Sequence, residues 1–358
     1  MENNNIIDSK FSRRTLLRGA VIGGTAASLA STLTLGASLP AYASGLDATS
    51  ASEESLPSGR QFEIRREDKR AIITEVGATL RVFEVGGREF LFTFSQNEMS
   101  MFSEGQVLIP FPNRIDHGMY VFNGVTEQLP LSEPPRQNAI HGLTRWMNWR
   151  LAGLEDHRVI LSLVLHAQDG YPFVLSLLET YELTSEGLRV QTIAQNIGST
   201  ALPYGHGHHP YLTVGTHLIN PDILQLPAKS YFRTNNRLIP IPPAVSVAGT
   251  PFDFRTPHAI GDVAMDTGFT DLIFDPDGFA RVKLAAPGGS PHVTVFMDSN
   301  HHFLQVFTGD ALPASSARRA LAIEPYTCAA NAFNNGLGLR VLQPGDSFTT
   351  VWGIAASV

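Results

Sequence analysis

Along most of the chain, apolar and polar residues alternate with a period of two, and turn residues cut that alternation into short runs. Residues 157–166, 173–183 and 188–197 are such runs, separated by Asp169-Gly170 and by Ser185-Glu186-Gly187. A period of two sends successive side chains to opposite faces of a strand, while Gly, Asp and Ser supply the turns. Residues 80–85 and 88–92 flank Gly86-Gly87, a two-residue hairpin signal, because such turns need positive φ. Later runs cover 271–274, 280–285, 292–298, 303–308 and 347–354, the last one following Pro344-Gly345-Asp346. Beyond the N-terminal segment, no long stretch keeps a capped 3.6-residue period. Hairpin after hairpin without intervening helices predicts an antiparallel all-β architecture, a single concave β-sandwich over residues 61–358. No fixed-period repeat points to a propeller.

The first 60 residues follow other rules. Ser12-Arg13-Arg14-Thr15-Leu16-Leu17-Arg18 is a twin-arginine pattern, followed by a mildly apolar run to Leu39 and by Ala41-Tyr42-Ala43, a small-residue cleavage site. The run contains Gly19, Gly23, Gly24 and Gly36 and several hydroxyls, which weaken it as a spanning helix. Residues 1–43 are therefore expected to be a signal peptide read by the twin-arginine export machinery, giving a soluble periplasmic or extracellular protein after cleavage. A retained anchor is the alternative. Residues 44–60, rich in Ser, Ala, Glu and Gly, read as a disordered linker.

Composition narrows the partners. The chain has 358 residues, 43% of them apolar, and a net charge of −7. An acidic balance without a basic patch excludes nucleic acid and anionic membranes as natural partners, and suits a neutral small molecule. The one cysteine, Cys328, allows no internal disulfide and reads as a small buried apolar residue rather than a nucleophile. The oligomeric state is not legible.

Two apolar runs end in groups that move protons near neutrality. Glu324 closes Leu321-Ala322-Ile323, and His209 follows Tyr204-Gly205-His206-Gly207-His208. A carboxylate there is either exposed at a strand end or turned into a cleft, where burial would raise its pKa and improve it as a base. In an extended chain His206 and His208 share one face and His209 takes the other. Two imidazoles two residues apart are a weak metal signal, and no metal or cofactor is expected. Asn113-Arg114 follows the rigid Pro110-Phe111-Pro112, and Arg114 could fork its donors onto sugar hydroxyls or pair with a carboxylate. His141-Gly142 lets the backbone approach a ligand closely. Trp146 and Trp149 lie just beyond, suited either to the core or to a sugar face. The residues alone describe a β protein with a His/Glu/Arg cleft.

Taken in order, these segments resemble the aldose 1-epimerase (galactose mutarotase) family from about Phe62 to Ile354. The similar stretches are Gly77-Ala78, Asn113-Arg114-Ile115, His141-Gly142, Asn196, His209-Pro210-Tyr211-Leu212, Pro251-Phe252-Asp253-Phe254-Arg255, Thr270-Asp271-Leu272, Leu304-Gln305-Val306, and Ile323-Glu324-Pro325 with Asn331. The resemblance implies the family's β-supersandwich and a cofactor-free interconversion of the α and β anomers of free aldohexoses. It casts Glu324 as general base and His209 as general acid, with Asn113, Arg114, His141, Tyr211, Asp271 and Gln305 binding the sugar. An acid role at neutral pH requires a raised His209 pKa, expected from Asp271 or Glu324. Pro210 and Leu212 depart from the family's usual residues and leave the preferred sugar open. Arg318-Arg319, close to Glu324, would serve a hexose 6-phosphate. A non-catalytic sugar-binding protein, or a lyase or hydrolase on a similar sandwich, is the further alternative.

Overall fold

Two large antiparallel sheets account for most of the strands in this computed structural model, which describes residues 56–358. The expected signal peptide and most of the expected linker lie outside the described residues. Residues 56–60, assigned above to the linker, pack on the domain: Gly59 N–H reaches the Leu56 carbonyl, Val76 N–H the Ser58 carbonyl, and Arg60 pairs with Glu75. The nine-stranded sheet runs, in spatial order, Arg150–Glu155, Arg158–Leu165, Leu175–Leu183, Leu188–Asn196, Ser347–Ser357, His292–Asp298, Phe279–Ala285, Ile223–Gln225 and His258–Ala259. The second sheet runs Pro240–Ser246, Ala228–Thr234, Asp266–Leu272, Phe303–Phe307, Leu321–Tyr326, Gly207–His208 and Val107–Leu108, with Tyr211–Leu212 also pairing onto Leu321–Tyr326. The predicted all-β supersandwich is the observed architecture.

The period-two reading explains the burial. In Leu175–Leu183 and Leu188–Asn196 the residues Leu175, Leu177, Tyr181, Val190 and Ala194 are buried, with more exposed residues between them. They meet Phe269, Leu304, Val306, Leu321 and Ile323 of the second sheet in one core, together with Trp149 and Trp352. Each such aliphatic or aromatic side chain contributes about 1.5–3 kcal/mol on full burial. The Gly86-Gly87 turn has φ of 59° and 77° and joins Leu80–Val85 to Arg88–Glu89, as the hairpin signal required. The run expected at 271–274 is displaced: the strand is Asp266–Leu272, and Asp271 sits at its end with φ 54°. That shift of register decides which aspartate reaches the site.

Candidate active site

The second sheet carries the site on the face turned away from the intersheet core. Leu321 and Ile323 belong to that core, so alternation sends Ala322, Glu324 and Tyr326 the other way. Glu324 registers with Gln305, and Gln305 with Gly268, two residues beyond Asp266. His209 follows Gly207–His208, a two-residue strand that pairs with both Tyr326 and Val107–Leu108. Gly207 is required here, because a Cβ would lie 2.2 Å from the Tyr326 ring. Gly142 is required too: its φ is 70° and a Cβ would meet the Ile109 carbonyl at 2.2 Å.

These elements enclose a pocket of about 300 Å³, lined by Asn113, Arg114, Glu133, His141, Arg145, His209, Tyr211, Asp266 and Glu324 among others. That is the lower end of the range for small-ligand sites, about 300–1,000 Å³, and suits one monosaccharide. On its floor His209 Nε2 lies 3.4 Å from Glu324 Oε2. The Tyr326 hydroxyl donates to the same carboxylate oxygen. The His209 ring stacks on Tyr211 at 4.9 Å and meets the His141 ring edge-on at 5.2 Å. Tyr211 turns its hydroxyl to the Phe102 carbonyl, so its contribution to the pocket is the ring.

The polar rim is held in place before any ligand arrives. Arg114 donates from Nε and Nη2 to the two carboxylate oxygens of Glu133, at 2.9 and 3.0 Å, and its Nη1 lies 3.6 Å from Asp266 Oδ2. Such a two-pronged pair fixes the guanidinium plane. His141 accepts at Nδ1 from the Asn113 backbone N–H at 3.3 Å, which in the neutral ring leaves the proton on Nε2. Asn113 and His141 both hold positive φ, 53° and 62°, at the rim.

Burial dominates the electrostatics. It pulls the His209 pKa down to about 3, with the positive charge of Arg145 and Arg114 adding to the fall. Burial pushes Glu324 well above the ordinary carboxylate value, and the negative charge of Asp266 adds to the rise, while the Tyr326 hydroxyl opposes it. The expected rise at His209 is thus corrected: desolvation outweighs any neighbouring carboxylate. Removing both charges from water favours a neutral pair that shares one proton.

Of the residues singled out in the sequence, Glu324, His209, Asn113, Arg114, His141 and Tyr211 line this pocket. Gln305 lines the adjoining hollow and donates from Nε2 to Asp266 Oδ1 at 2.6 Å, orienting that carboxylate. Asp271 does not belong to the site. It is exposed at the strand end, and Asp266 occupies the position assigned to it. An odd separation of five puts the two on opposite faces of a regular strand. Glu133, Arg145, Asp266 and Tyr326 were not foreseen. Tyr326 could have been, since it shares the face of Glu324 two residues on.

The neighbouring histidines serve the fold. His206 bonds Tyr204 and Thr350, and His208 bonds Glu179. They lie behind the strand, opposite His209, as the alternation implied. Cys328 is buried and its thiol is pushed up to about 12 by desolvation, which makes it inert. Trp149 is core, whereas Trp146 is exposed near the rim. Arg318 is consumed by Asp310, Asn220 and the carbonyls of Val263 and Gly261, and is not a phosphate site.

Comparison with known proteins points the same way as this geometry. The sequence profile of the aldose 1-epimerase family matches residues 60–354. The uncharacterized protein YihR of Escherichia coli K12 is 32% identical over 289 residues, which cover 80% of this chain and 90% of YihR. Human galactose mutarotase is 27% identical over 229 residues, covering 59% of this chain and 66% of its own. Among solved structures, an aldose epimerase homologue from C. elegans superposes with a TM-score of 0.75 at 18% identity, over 84% of this chain and 99% of its own. A galactose 1-epimerase from Lactobacillus acidophilus gives 0.68 at 19% identity, over 84% and 99%.

Proposed function

Because the chain belongs to the aldose 1-epimerase family, we propose that it interconverts the α and β anomers of an aldohexose by acid–base ring opening at Glu324 and His209. The observation that carries the reading is the 3.4 Å pair at the floor of a monosaccharide-sized pocket. Ring opening removes a proton from the C1 hydroxyl and delivers one to the ring oxygen, and both oxygens are bonded to C1. An acid and a base side by side can therefore reach them together. Glu324 takes the hydroxyl proton while His209 protonates the ring oxygen, the ring C–O bond breaks, and the open aldehyde turns about C1–C2. On closure the roles reverse. Each positioned proton transfer contributes about 10²–10⁴ in rate.

The remaining groups bind and orient. Tyr326 fixes the carboxylate of Glu324. Arg114 and Asp266, braced by Glu133 and Gln305, offer donors and acceptors to hydroxyls, and His141 offers Nε2–H. The working form Glu324⁻/His209H⁺ and the neutral resting form carry the same single proton. The sugar's hydroxyls restore polarity around the pair and make the charged arrangement accessible.

Equilibrium exchange measured by NMR on D-glucose and D-galactose tests the reading. Anomer exchange faster than in buffer supports it, and no acceleration of any aldose removes it. The same assay carries a pH prediction. The pair is active while it holds one proton, so the two shifts widen its window in both directions. His209, lowered, takes a second proton only near pH 3, which sets the acid limb. Glu324, raised, surrenders the last proton only above the ordinary carboxylate range, which sets the basic limb. The kcat/KM profile is expected to be flat between these limbs, with the acid limb near pH 3, below the ordinary carboxylate value of about 4.3. An acid limb at the ordinary carboxylate value of about 4.3 would place the pair in water rather than in a buried site.

A further inference from the structure

We propose a second ligand site, separate from the sugar pocket: a groove that binds a small organic cation, with its ammonium head on Glu104 and its apolar substituents against Phe92, Phe94 and Phe102. The site does not depend on the mutarotase reading.

The groove has a volume of about 590 Å³, larger than the sugar pocket and well inside the range of small-ligand sites, about 300–1,000 Å³. Its lining carries those three rings, the thioethers of Met99 and Met101 and the carboxylates of Glu98 and Glu104, with no lysine, arginine or histidine. Glu104 is only 5% exposed, yet among the described residues it forms no ion pair. Its Oε2 accepts from the Ser100 hydroxyl at 2.6 Å and from the Phe102 backbone N–H at 2.9 Å, which leaves Oε1 without a protein partner. Thr93, also on the lining, has a buried Oγ1 with no hydrogen bond. Arg81 does not supply the missing charge: it donates to Gln61 and to the Phe94 carbonyl and does not line the groove.

That combination selects the ligand. Two carboxylates repel an anion. A neutral apolar molecule would seal Glu104 off from water and leave its charge uncompensated, which is costly. A neutral sugar could bond Oε1, but it too would leave the charge unmatched. A cation with apolar substituents meets both demands, because ring faces attract positive charge and the carboxylate offsets it. Met99 and Met101, 44% and 69% exposed, add flexible and polarisable side chains that can close on such a group.

The groove also touches the frame of the general acid. Of the residues lining it, Phe102 lines the sugar pocket as well. The Phe102 N–H rests on Glu104, its carbonyl accepts from the Tyr211 hydroxyl at 3.2 Å, and His209 stacks on Tyr211. Phe92 N–H donates to the Tyr211 carbonyl at 2.9 Å.

Methionine-methyl NMR on the folded protein tests the proposal, with the Met99 and Met101 signals assigned by Met→Leu variants. Tetramethylammonium and butylammonium are each titrated beside a neutral alcohol of the same shape, neopentyl alcohol and 1-pentanol, with sodium chloride as the ionic-strength control. At least one ammonium is expected to shift both methyls saturably, with a Kd about ten-fold or more below that of its alcohol. The two ammonium arms tell N–H donation from charge alone. Glu104→Gln keeps the acceptors for Ser100 and Phe102 and should weaken the cation about ten-fold while sparing the alcohol. Phe92→Leu keeps apolar bulk without the ring face and should also weaken the cation more than the alcohol, with melting curves confirming that both variants fold. Equal binding of ammonium and alcohol, the same shifts with sodium chloride, no saturable shift, or an affinity unmoved in both variants would overturn the site. None of these outcomes bears on anomer exchange, which is measured separately.

Discussion

Glu324→Gln should lose about 10²–10⁴ of the acceleration of anomer exchange, the contribution of one positioned proton transfer. The substitution keeps the shape of a side chain that is almost wholly buried, and its amide oxygen can still accept from the Tyr326 hydroxyl. What it removes is the capacity to take a proton from the C1 hydroxyl and to share one with His209. Because a buried ionisable group becomes a neutral one of equal size, the melting temperature should hold or rise, which separates chemistry from folding. The measurement is kcat by NMR exchange beside a thermal melt. Retained acceleration would move the base to Asp266, the other carboxylate that faces the pocket without a bidentate arginine. Tyr326→Phe makes a milder companion, since it frees the carboxylate without removing it.

The places of Glu324 and His209 in the pocket were legible in the sequence because each lies on or directly after a strand, where alternation leaves only two faces to choose from. The choice for Glu324 was settled by Ile323, whose burial in the intersheet core forces its neighbour outward. The same alternation that turns Glu324 into the pocket keeps Asp271 out of it. The strand begins at Asp266, earlier than the β-rich run 271–274 suggested, and Thr267, Gly268 and Thr270 gave no apolar alternation to fix its start. Glu133 lies in a Ser-Glu-Pro-Pro loop, and nothing local ties a loop carboxylate to an arginine nineteen residues earlier. Arg145 stood inside a stretch already singled out, between His141-Gly142 and Trp149. Its place on the pocket wall is a property of the folded neighbourhood alone. The lowered His209 pKa was equally hidden, because reference values assume water and this ring has almost none.

His208→Ala should destabilise the domain by about 3–5 kcal/mol, through a buried oxygen left without its hydrogen bond, about 1–3 kcal/mol, and the cavity the ring leaves. His208 Nε2 lies 2.8 Å from Glu179 Oε1, with both side chains essentially inaccessible. The other carboxylate oxygen of Glu179 has no hydrogen-bond partner, so nothing nearby would take over. The His208 ring packs on Trp352 at 4.8 Å, so the deletion also opens the core between Leu175–Leu183 and Ser347–Ser357. Glu179→Gln should cost less, about 1–3 kcal/mol, since it keeps the shape of the side chain and leaves an amide that can still bond the ring. Urea unfolding midpoints of the two variants check the order, and a smaller loss for His208→Ala than for Glu179→Gln would show that the packing and hydrogen bond of the ring carry little of the stability. The pair matters to the site as well as to the fold. His208 is the residue before His209, and the Gly207–His208 strand that holds both is only two residues long. Loosening it lets the acid drift from Glu324, so His208→Ala should also lower kcat. A double variant that replaces both partners with apolar residues of similar volume should recover much of the stability, because no polar group is then left buried without a partner. If kcat returns with it, the buried pair serves the chemistry by rigidity alone.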